Sequence, residues 1–361
     1  MKRPPDSMPP PAPRGRGTAE NPENRYERIH VEYDPSDEED GPEPQKVATL
    51  HYRDTSRTIL AENDSPDIPF RFSLNPYRGC EHGCIYCYAR PTHEYLSFSA
   101  GLDFETRIMV KEDAPELLRQ TFLSPRWQPQ VVSLSGNTDC YQPSEKKLGI
   151  TRRCLEVFRE FYNPVGIVTK SALVTRDIDL LQDLAAHEAA HVFVSITSLE
   201  DELAGRMEPR AARPQRRLQA VEALARAGVP VGVLVAPLIP GLNDSEVPAI
   251  LAAASDAGAG SASYVLLRLP RPVDALFTDW LERNYPERRQ RVLGRIRDTR
   301  AGRISDSEFG RRHRGQGVYA EHLASLFRAA ARRHGLDCPL PALSIASFRR
   351  PPQAGDQMRL L

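Results

Sequence analysis

The stretch Asn75-Pro-Tyr-Arg-Gly-Cys80-Glu-His-Gly-Cys84-Ile-Tyr-Cys87-Tyr-Ala-Arg90 gathers three cysteines into one short loop, while Cys140, Cys154 and Cys338 are scattered. Clustered soft thiolates bind zinc or iron–sulfur centres, and a purely structural centre of either kind usually takes four ligands. Three thiolates leave one metal coordination position open for chemistry. Structural zinc sites are usually built from two paired knuckles, and no second knuckle is visible. His82 inside the loop and His93 just after it keep a three-cysteine, one-histidine zinc site as the alternative. No stretch reads as a signal peptide or as an apolar run of membrane length. A cytoplasmic location, reducing and unfavourable to disulfides, is therefore expected.

The flanking chain, 361 residues with 40% hydrophobic content, is long enough for one large domain with extensions. Formal net charge is zero, so overall charge names no partner. The first 45 or so residues are rich in proline (Pro4, Pro5, Pro9, Pro10, Pro11, Pro13) and carry the acidic run Asp37-Glu-Glu-Asp40. Such a composition buries too little apolar surface to offset its ordering entropy, which predicts disorder over 1–45 and a lead-in over 46–69.

Beyond it, short β-rich runs alternate with helical stretches. Strands are expected at Phe70 to Leu74, Val131 to Ser135, Val165 to Thr169, Val192 to Thr197, Val231 to Ala236 and Tyr264 to Leu269. Helices are expected at Glu145 to Phe161, Asp177 to His187, Pro214 to Ala227 and Glu246 to Ala257, from apolar spacing and good helix formers. A parallel α/β core over 70–300 follows, then a mostly helical region over 301–335 and a flexible tail over 336–361. Pattern alone leaves barrel and doubly wound sheet open.

Cys80, Cys84 and Cys87, with aromatic Tyr86 before the last, resemble the cluster motif of the radical S-adenosylmethionine (SAM) enzymes. More of the chain, from about residue 58 to about residue 300, resembles the spore photoproduct lyase branch, often labelled DNA repair photolyase-like. The resemblance implies a partial (β/α)6 TIM-type barrel and a [4Fe-4S] cluster on the three cysteines, with SAM chelating the fourth iron. It further implies reductive cleavage of SAM to methionine and a 5′-deoxyadenosyl radical that abstracts a substrate hydrogen. An external one-electron reductant of flavodoxin or ferredoxin type would feed the cluster. In parallel α/β barrels chemistry sits at the C-terminal strand ends, and the cysteine loop follows the first expected strand.

The other strand ends supply candidates for holding SAM. Ser135-Gly-Asn-Thr138-Asp139 can hydrogen-bond an ammonium group, and the resemblance favours Thr138 and Asp139; a helix N-cap is the plain alternative. Lys170 can pair with the SAM carboxylate or be an ordinary surface lysine. Ser195 and Thr197 alternate onto one face, with Ser195 the ribose or carboxylate candidate. The apolar run Val233 to Ala236 matches a strand whose end packs on adenine in this superfamily. Tyr86 and Tyr88 can shield the cluster or stack on adenine. Glu208-Pro-Arg210, with Arg206 and Arg213, reads as a basic ledge or a solvated helix start.

Spore photoproduct lyases return a hydrogen through a cysteine just upstream of the hydroxyl–Asp pair, a place held here by Gly136. Cys140 is the replacement candidate, against an inert buried cysteine. Nucleic acid is a candidate partner, because Arg288, Arg289, Arg291, Arg295, Arg297, Arg300, Arg303, Arg311, Arg312 and Arg314 accumulate with Tyr285, Phe309 and Tyr319 among them. Gln357-Met-Arg-Leu-Leu361 resembles the bacterial sliding-clamp-binding peptide. The rivals are a radical SAM enzyme with a non-nucleic-acid substrate and a non-catalytic zinc or iron–sulfur module that recognises DNA.

Overall fold

The computed structural model describes residues 12–26 and 47–352. Its strands are β1 (Leu50–Arg53), β2 (Leu60–Glu62), β3 (Phe72–Leu74), β4 (Tyr77–Arg78), β5 (Arg107–Val110), β6 (Val132–Leu134), β7 (Val165–Thr169), β8 (Ala190–Ser195), β9 (Val231–Leu238) and β10 (Ser261–Leu266). Its α-helices are α1 (Leu102–Thr106), α2 (Ala114–Leu123), α3 (Glu145–Leu148), α4 (Ile150–Phe161), α5 (Ile178–Ala186), α6 (Asp201–Met207), α7 (Pro214–Arg226), α8 (Val247–Asp256), α9 (Val273–Asn284), α10 (Pro286–Asp298) and α11 (Val318–Arg333).

Val165-Gly-Ile-Val-Thr169 and Val231-Gly-Val-Leu-Val235 are near-continuous apolar runs, as strands covered on both faces require. They lie within one seven-stranded sheet of order β2-β3-β6-β7-β8-β9-β10, parallel from β3 to β10 with β2 antiparallel at the edge. Each parallel strand pairs with the next in sequence and the order never reverses. A doubly wound sheet would reverse at a switch point, so the fold is an open, partial (β/α)6 barrel. All six expected barrel strands are present. A smaller sheet, β1-β5-β4, was not foreseen.

Helix α4 buries Ile150, Cys154, Leu155, Val157, Phe158 and Phe161 at helical spacing and packs on α2 and α5. The expected single helix from 145 to 161 is divided at Gly149, whose φ of 63° closes α3 with a left-handed residue. At β9 the ladder with β10 slips between Tyr264 opposite Val235 and Leu266 opposite Leu238. Pro237 has no N–H for that ladder, which is where a bulge is expected.

A second core lies apart from the barrel's own. Cys84, Ile85 and Tyr86 pack with Met207, Ile239, Leu242, Leu267, Leu269, Phe277, Trp280 and Ile296, so α9 and α10 back the cysteine loop. Fully burying rings such as Phe277 and Trp280 contributes about 2–3 kcal/mol each.

Two expected flexible segments are docked instead. Residues 12–26 lie within the extension read as disordered, yet Arg16 and Thr18 are buried and bonded to the region of Glu105. Composition misses this because polar side chains and backbone, with little apolar area, make the contacts. In the expected tail, Phe348 packs on Phe122 and Phe161, and Arg350 donates to the Phe122, Ser124 and Trp127 carbonyls. Residues 1–11, 27–46 and the clamp-like Gln357–Leu361 lie outside the described residues. No helix among the described residues is long and apolar enough to cross a membrane.

Candidate cofactor site

The cysteine loop leaves β4 and is tied down along its length. The Cys80 amide donates to the Phe104 carbonyl at 2.9 Å, Ile85 to Met207 at 3.0 Å, and Cys87 back to Cys84 at 3.2 Å. Gly83 takes a positive φ of 67°. The Glu81 amide donates to Gln142 Oε1, and the Glu81 carboxylate accepts from Thr49 at 2.7 Å and pairs with Arg210 at 3.1 Å.

Beneath the loop lies a fully buried ion pair. Arg90 Nη2 meets Glu105 Oε1 at 2.6 Å, and the same guanidinium donates to the Cys84 and Gly101 carbonyls. Glu105 also accepts the Gly17 and Thr18 amides at 2.9 and 3.1 Å and the Thr18 hydroxyl at 3.1 Å. Gly17 lies so close that a Cβ there would stand 1.9 Å from the Gly83 carbonyl oxygen. The 12–26 segment is thus a strap across the back of the cysteine loop.

Cys80 and Cys84 are buried and Cys87 is half-buried. Burial pushes all three thiols upward, and Lys170 pulls Cys84 and Cys87 back down. A metal centre that takes thiolates would overcome that burial cost, with Lys170, Arg90 and Arg217 balancing the charge. No group of three or more His, Cys, Asp or Glu among the described residues could hold a single metal ion. A cubane takes one thiolate per iron, so its ligands need not converge on one point. The donor set of three thiols without a fourth fits such a cluster. Of the histidines in the zinc alternative, His82 Nδ1 faces Asp139 at 3.3 Å, and His93 Nε2 lies 2.9 Å from the Arg107 carbonyl.

The strand ends converge on the loop. Asp139 Oδ1 accepts the Thr169 hydroxyl at 2.7 Å and the Tyr141 amide at 2.9 Å, while Oδ2 accepts the Lys170 amide at 2.7 Å. Burial works against its charge, but His82 and these hydrogen bonds bring it down to about 2. Lys170 Nζ donates to the Ala236 carbonyl beside the β9 bulge at 3.0 Å and stands 5.9 Å over the Tyr86 ring. Ser195 closes β8, buried, with its carbonyl bound by Arg217.

The structure gives Thr138, Tyr86 and Tyr88 more specific surroundings. The Thr138 hydroxyl donates to the Tyr77 carbonyl at 2.7 Å, so it braces β4. The Tyr86 hydroxyl is bonded to Glu208, whose carboxylate also takes Thr197 at 2.6 Å and the Arg217 guanidinium. Burial opposes the Glu208 charge, and Arg217 with Lys170 holds it down at about 2. Tyr88 is 49% exposed and donates to the Gly136 carbonyl at 2.8 Å.

The family model for the Radical SAM superfamily matches residues 74–254, just over half of the chain. The chain belongs to the radical SAM superfamily. Its enzymes use a [4Fe-4S] cluster and SAM, and Cys80, Cys84 and Cys87 are the residues here that would hold the cluster. An uncharacterized protein of Mycobacterium tuberculosis is 36% identical over 222 residues, 61% of this chain and 65% of its own length. This chain thus spans less than two thirds of that relative. An uncharacterized protein of Methanocaldococcus jannaschii is 28% identical over 217 residues, 60% of this chain and 77% of its own. Among solved structures, spore photoproduct lyase complexed with dinucleoside spore photoproduct superposes with a TM-score of 0.57 at 17% identity, over 80% of this chain and 81% of that one. At that identity the likeness is one of fold.

Within this radical SAM frame, Cys140 is the candidate hydrogen donor. Its thiol is fully buried in the barrel core, and burial raises its pKa. At the basic ledge around Glu208-Pro-Arg210, Arg210 pairs with buried Glu81, while Arg206 and Arg213 stay exposed and donate to the Asn284 and Asp201 carbonyls. Many of the C-terminal arginines are internally engaged. Arg289 pairs with Glu282, Arg311 with Glu308 and Arg312 with Asp67, and Arg300 is buried on three carbonyls. Tyr285 packs on Trp280 and Tyr319 bonds Asp244, which leaves Phe309 exposed.

Sequence reasoning missed Arg90, Glu105, Arg217 and the active part of Glu208. Arg90 and Glu105 lie among other charges (Glu94, Asp103, Arg107), so nothing in the sequence singles them out as a buried pair.

Proposed function

We propose that this chain is a radical SAM enzyme whose substrate is a damaged or modified nucleic acid. When bound, the [4Fe-4S] cluster and SAM supply reductive C–S cleavage and a 5′-deoxyadenosyl radical that takes hydrogen from a substrate C–H bond. The chain's own residues position and seal. The carrying observation is that the thiol loop, Asp139, Lys170 and Ser195 meet at the C-terminal end of one parallel barrel. Asp139 fixes the start of the Lys170 segment, and Lys170 presents an ammonium beside Cys84 and Cys87 that can pair with an amino-acid carboxylate. Tyr86, locked by Glu208 and Thr197, closes the floor against water. The nucleic-acid part draws on the lyase-like fold and on the exposed Tyr88 and Phe309 rings.

A substrate other than nucleic acid is the second reading, favoured by Gly136 at the donor-cysteine place and by the pairing of arginines with the chain's own carboxylates. Anaerobic reconstitution tests the enzyme. About four irons per chain, an EPR signal perturbed by SAM, and 5′-deoxyadenosine under reductant are expected. Zinc in place of iron, or a cluster indifferent to SAM, overturns it. Ultraviolet-irradiated oligonucleotides, scored for SAM-dependent conversion and deuterium transfer into deoxyadenosine, test the substrate; conversion of none favours the second reading.

A further inference from the structure

Arg268 stands at the barrel mouth without a carboxylate in an ion pair among the described residues. It follows β10 by two positions, is half-buried, and has Nη1 3.2 Å from His313 Nε2. Its guanidinium carbon lies 5.5 Å from the centroid of Tyr88, the residue directly after Cys87. Arg268 is therefore beside the cofactor site and not in a remote basic patch.

The nearby carboxylates form their ion pairs with other arginines. Arg312 is neutralised by Asp67, which also faces His313. Arg311 is taken by Glu308 and Asp306, and Asp306 also acts on Arg300. Arg300, fully buried, donates to the Leu266, Leu267 and Arg311 carbonyls, and its Nε has no partner. Burial and the nearby Arg312 work against the charge on Arg268, while Tyr88 and Asp67 favour it. A half-buried cation in that position is completed by an anion.

Tyr88 lies against Arg268, and Phe309 lies against the neighbouring Arg312. Tyr88 and Phe309 are about half exposed, and each has an arginine against one face, Arg268 on Tyr88 and Arg312 on Phe309 at 4.6 Å. Exposed rings interleaved with guanidinium groups match the chemistry of a single nucleic-acid strand, since bases stack on rings and phosphates take the fork of an arginine. A carboxylate-bearing small substrate would use the cation but leave two rings unexplained.

We propose that Arg268, Tyr88 and Phe309 form a ledge that seats a phosphodiester of a single nucleic-acid strand on Arg268 and stacks flanking bases on the two rings. The ledge deepens the function proposed above and rests on it for the chemistry next door. It would present one nucleotide to the cofactor while holding its neighbours.

The test uses the reconstituted full chain and a fluorescein-labelled thymidine oligonucleotide, with anisotropy read across a salt series. Arg268→Gln is expected to weaken binding roughly tenfold and to lower the slope of log affinity against log salt by about one. Phe309→Ala, at an exposed position where folding is not at issue, is expected to weaken binding roughly fivefold or more with the slope unchanged. Iron content equal to wild type shows that each variant is folded. Equal binding by wild type and Arg268→Gln, or no binding by wild type, overturns the ledge. Thymidine monophosphate competing as tightly as the strand also overturns it, because the site would then serve a free nucleotide. Loss of SAM cleavage in wild type overturns the enzyme reading instead, and the anisotropy result stands apart from it.

Discussion

Asp139 accepts the backbone N–H of Lys170 at 2.7 Å, and this bond ties the segment after β6 to the end of β7. The same carboxylate takes Thr169, Tyr141 and His82, so each oxygen has donors. In Asp139→Asn an amide nitrogen must face some of those donors, leaving at least one buried N–H or O–H without an acceptor. The expected loss is on the order of 2–3 kcal/mol, together with SAM binding weaker by roughly tenfold as Lys170 drifts. Urea denaturation and equilibrium dialysis of the reconstituted protein read the two effects. An unchanged midpoint would remove Asp139 from this role.

The strap makes a second prediction. Without residues 1–26, Glu105 loses the Gly17 and Thr18 donors and keeps Arg90 alone. Hydrogen bonds to a charged group contribute about 1.5–3 kcal/mol each. The truncated protein should lose iron to a chelator several times faster than the full chain, and Thr18→Val should fall between them. Equal rates would mean that the strap only rests on the loop.

How far the residues announced this arrangement varies with the kind of force involved. The barrel was legible because β7, β8 and β9 are largely apolar runs and α4, α5, α7 and α8 carry apolar spacing. The loop was legible because three thiols in eight residues have few other uses. Asp139 and Lys170 were legible as strand-end residues, but their bond to each other was not, since it depends on parallel neighbours set by tertiary pairing. Cys140 was legible as a thiol beside Asp139, but its full burial was not, since sequence adjacency says nothing about which way a side chain turns. The strap was hidden because its contacts are single polar bonds, for which proline-rich composition carries no signal.

His93 gives a pH dependence. It lies buried between Phe98 and Phe104, with Nδ1 lacking a partner. Burial pushes it down to about 4, against the opposing pull of the Arg107 carbonyl. The unfolded chain takes up the proton near pH 6.5, so between about 6.5 and 4 the unfolded state binds more protons. The stability contribution is therefore full above about pH 6.5 and is lost as pH falls toward 4, on the order of 3 kcal/mol in all. His93→Phe forgoes the bond to Arg107 but cannot titrate. Its stability deficit relative to wild type should shrink steadily between pH 7 and pH 4.5 in urea denaturation; parallel pH profiles would refute the assignment.

Gly136 holds the place where the lyase resemblance puts a cysteine, and the packing says why a cysteine there does not fit unaided. A Cβ on Gly136 would stand 2.9 Å from Ser73 Cβ and 3.5 Å from the Phe70 ring. Ser73 lies in β3, paired with β2 and β6, and cannot retreat without moving the ladder. Gly136→Cys should therefore cost about 1–3 kcal/mol by overpacking. Ser73→Gly removes the obstructing carbon at a cost of about 1 kcal/mol for a strand glycine. The double variant should be more stable than the sum of the two by at least about 1 kcal/mol in a denaturation cycle. Additive effects would show that Ser73 is not the obstacle. A positive coupling would mean that β3 itself, through Ser73, is built around a glycine at 136.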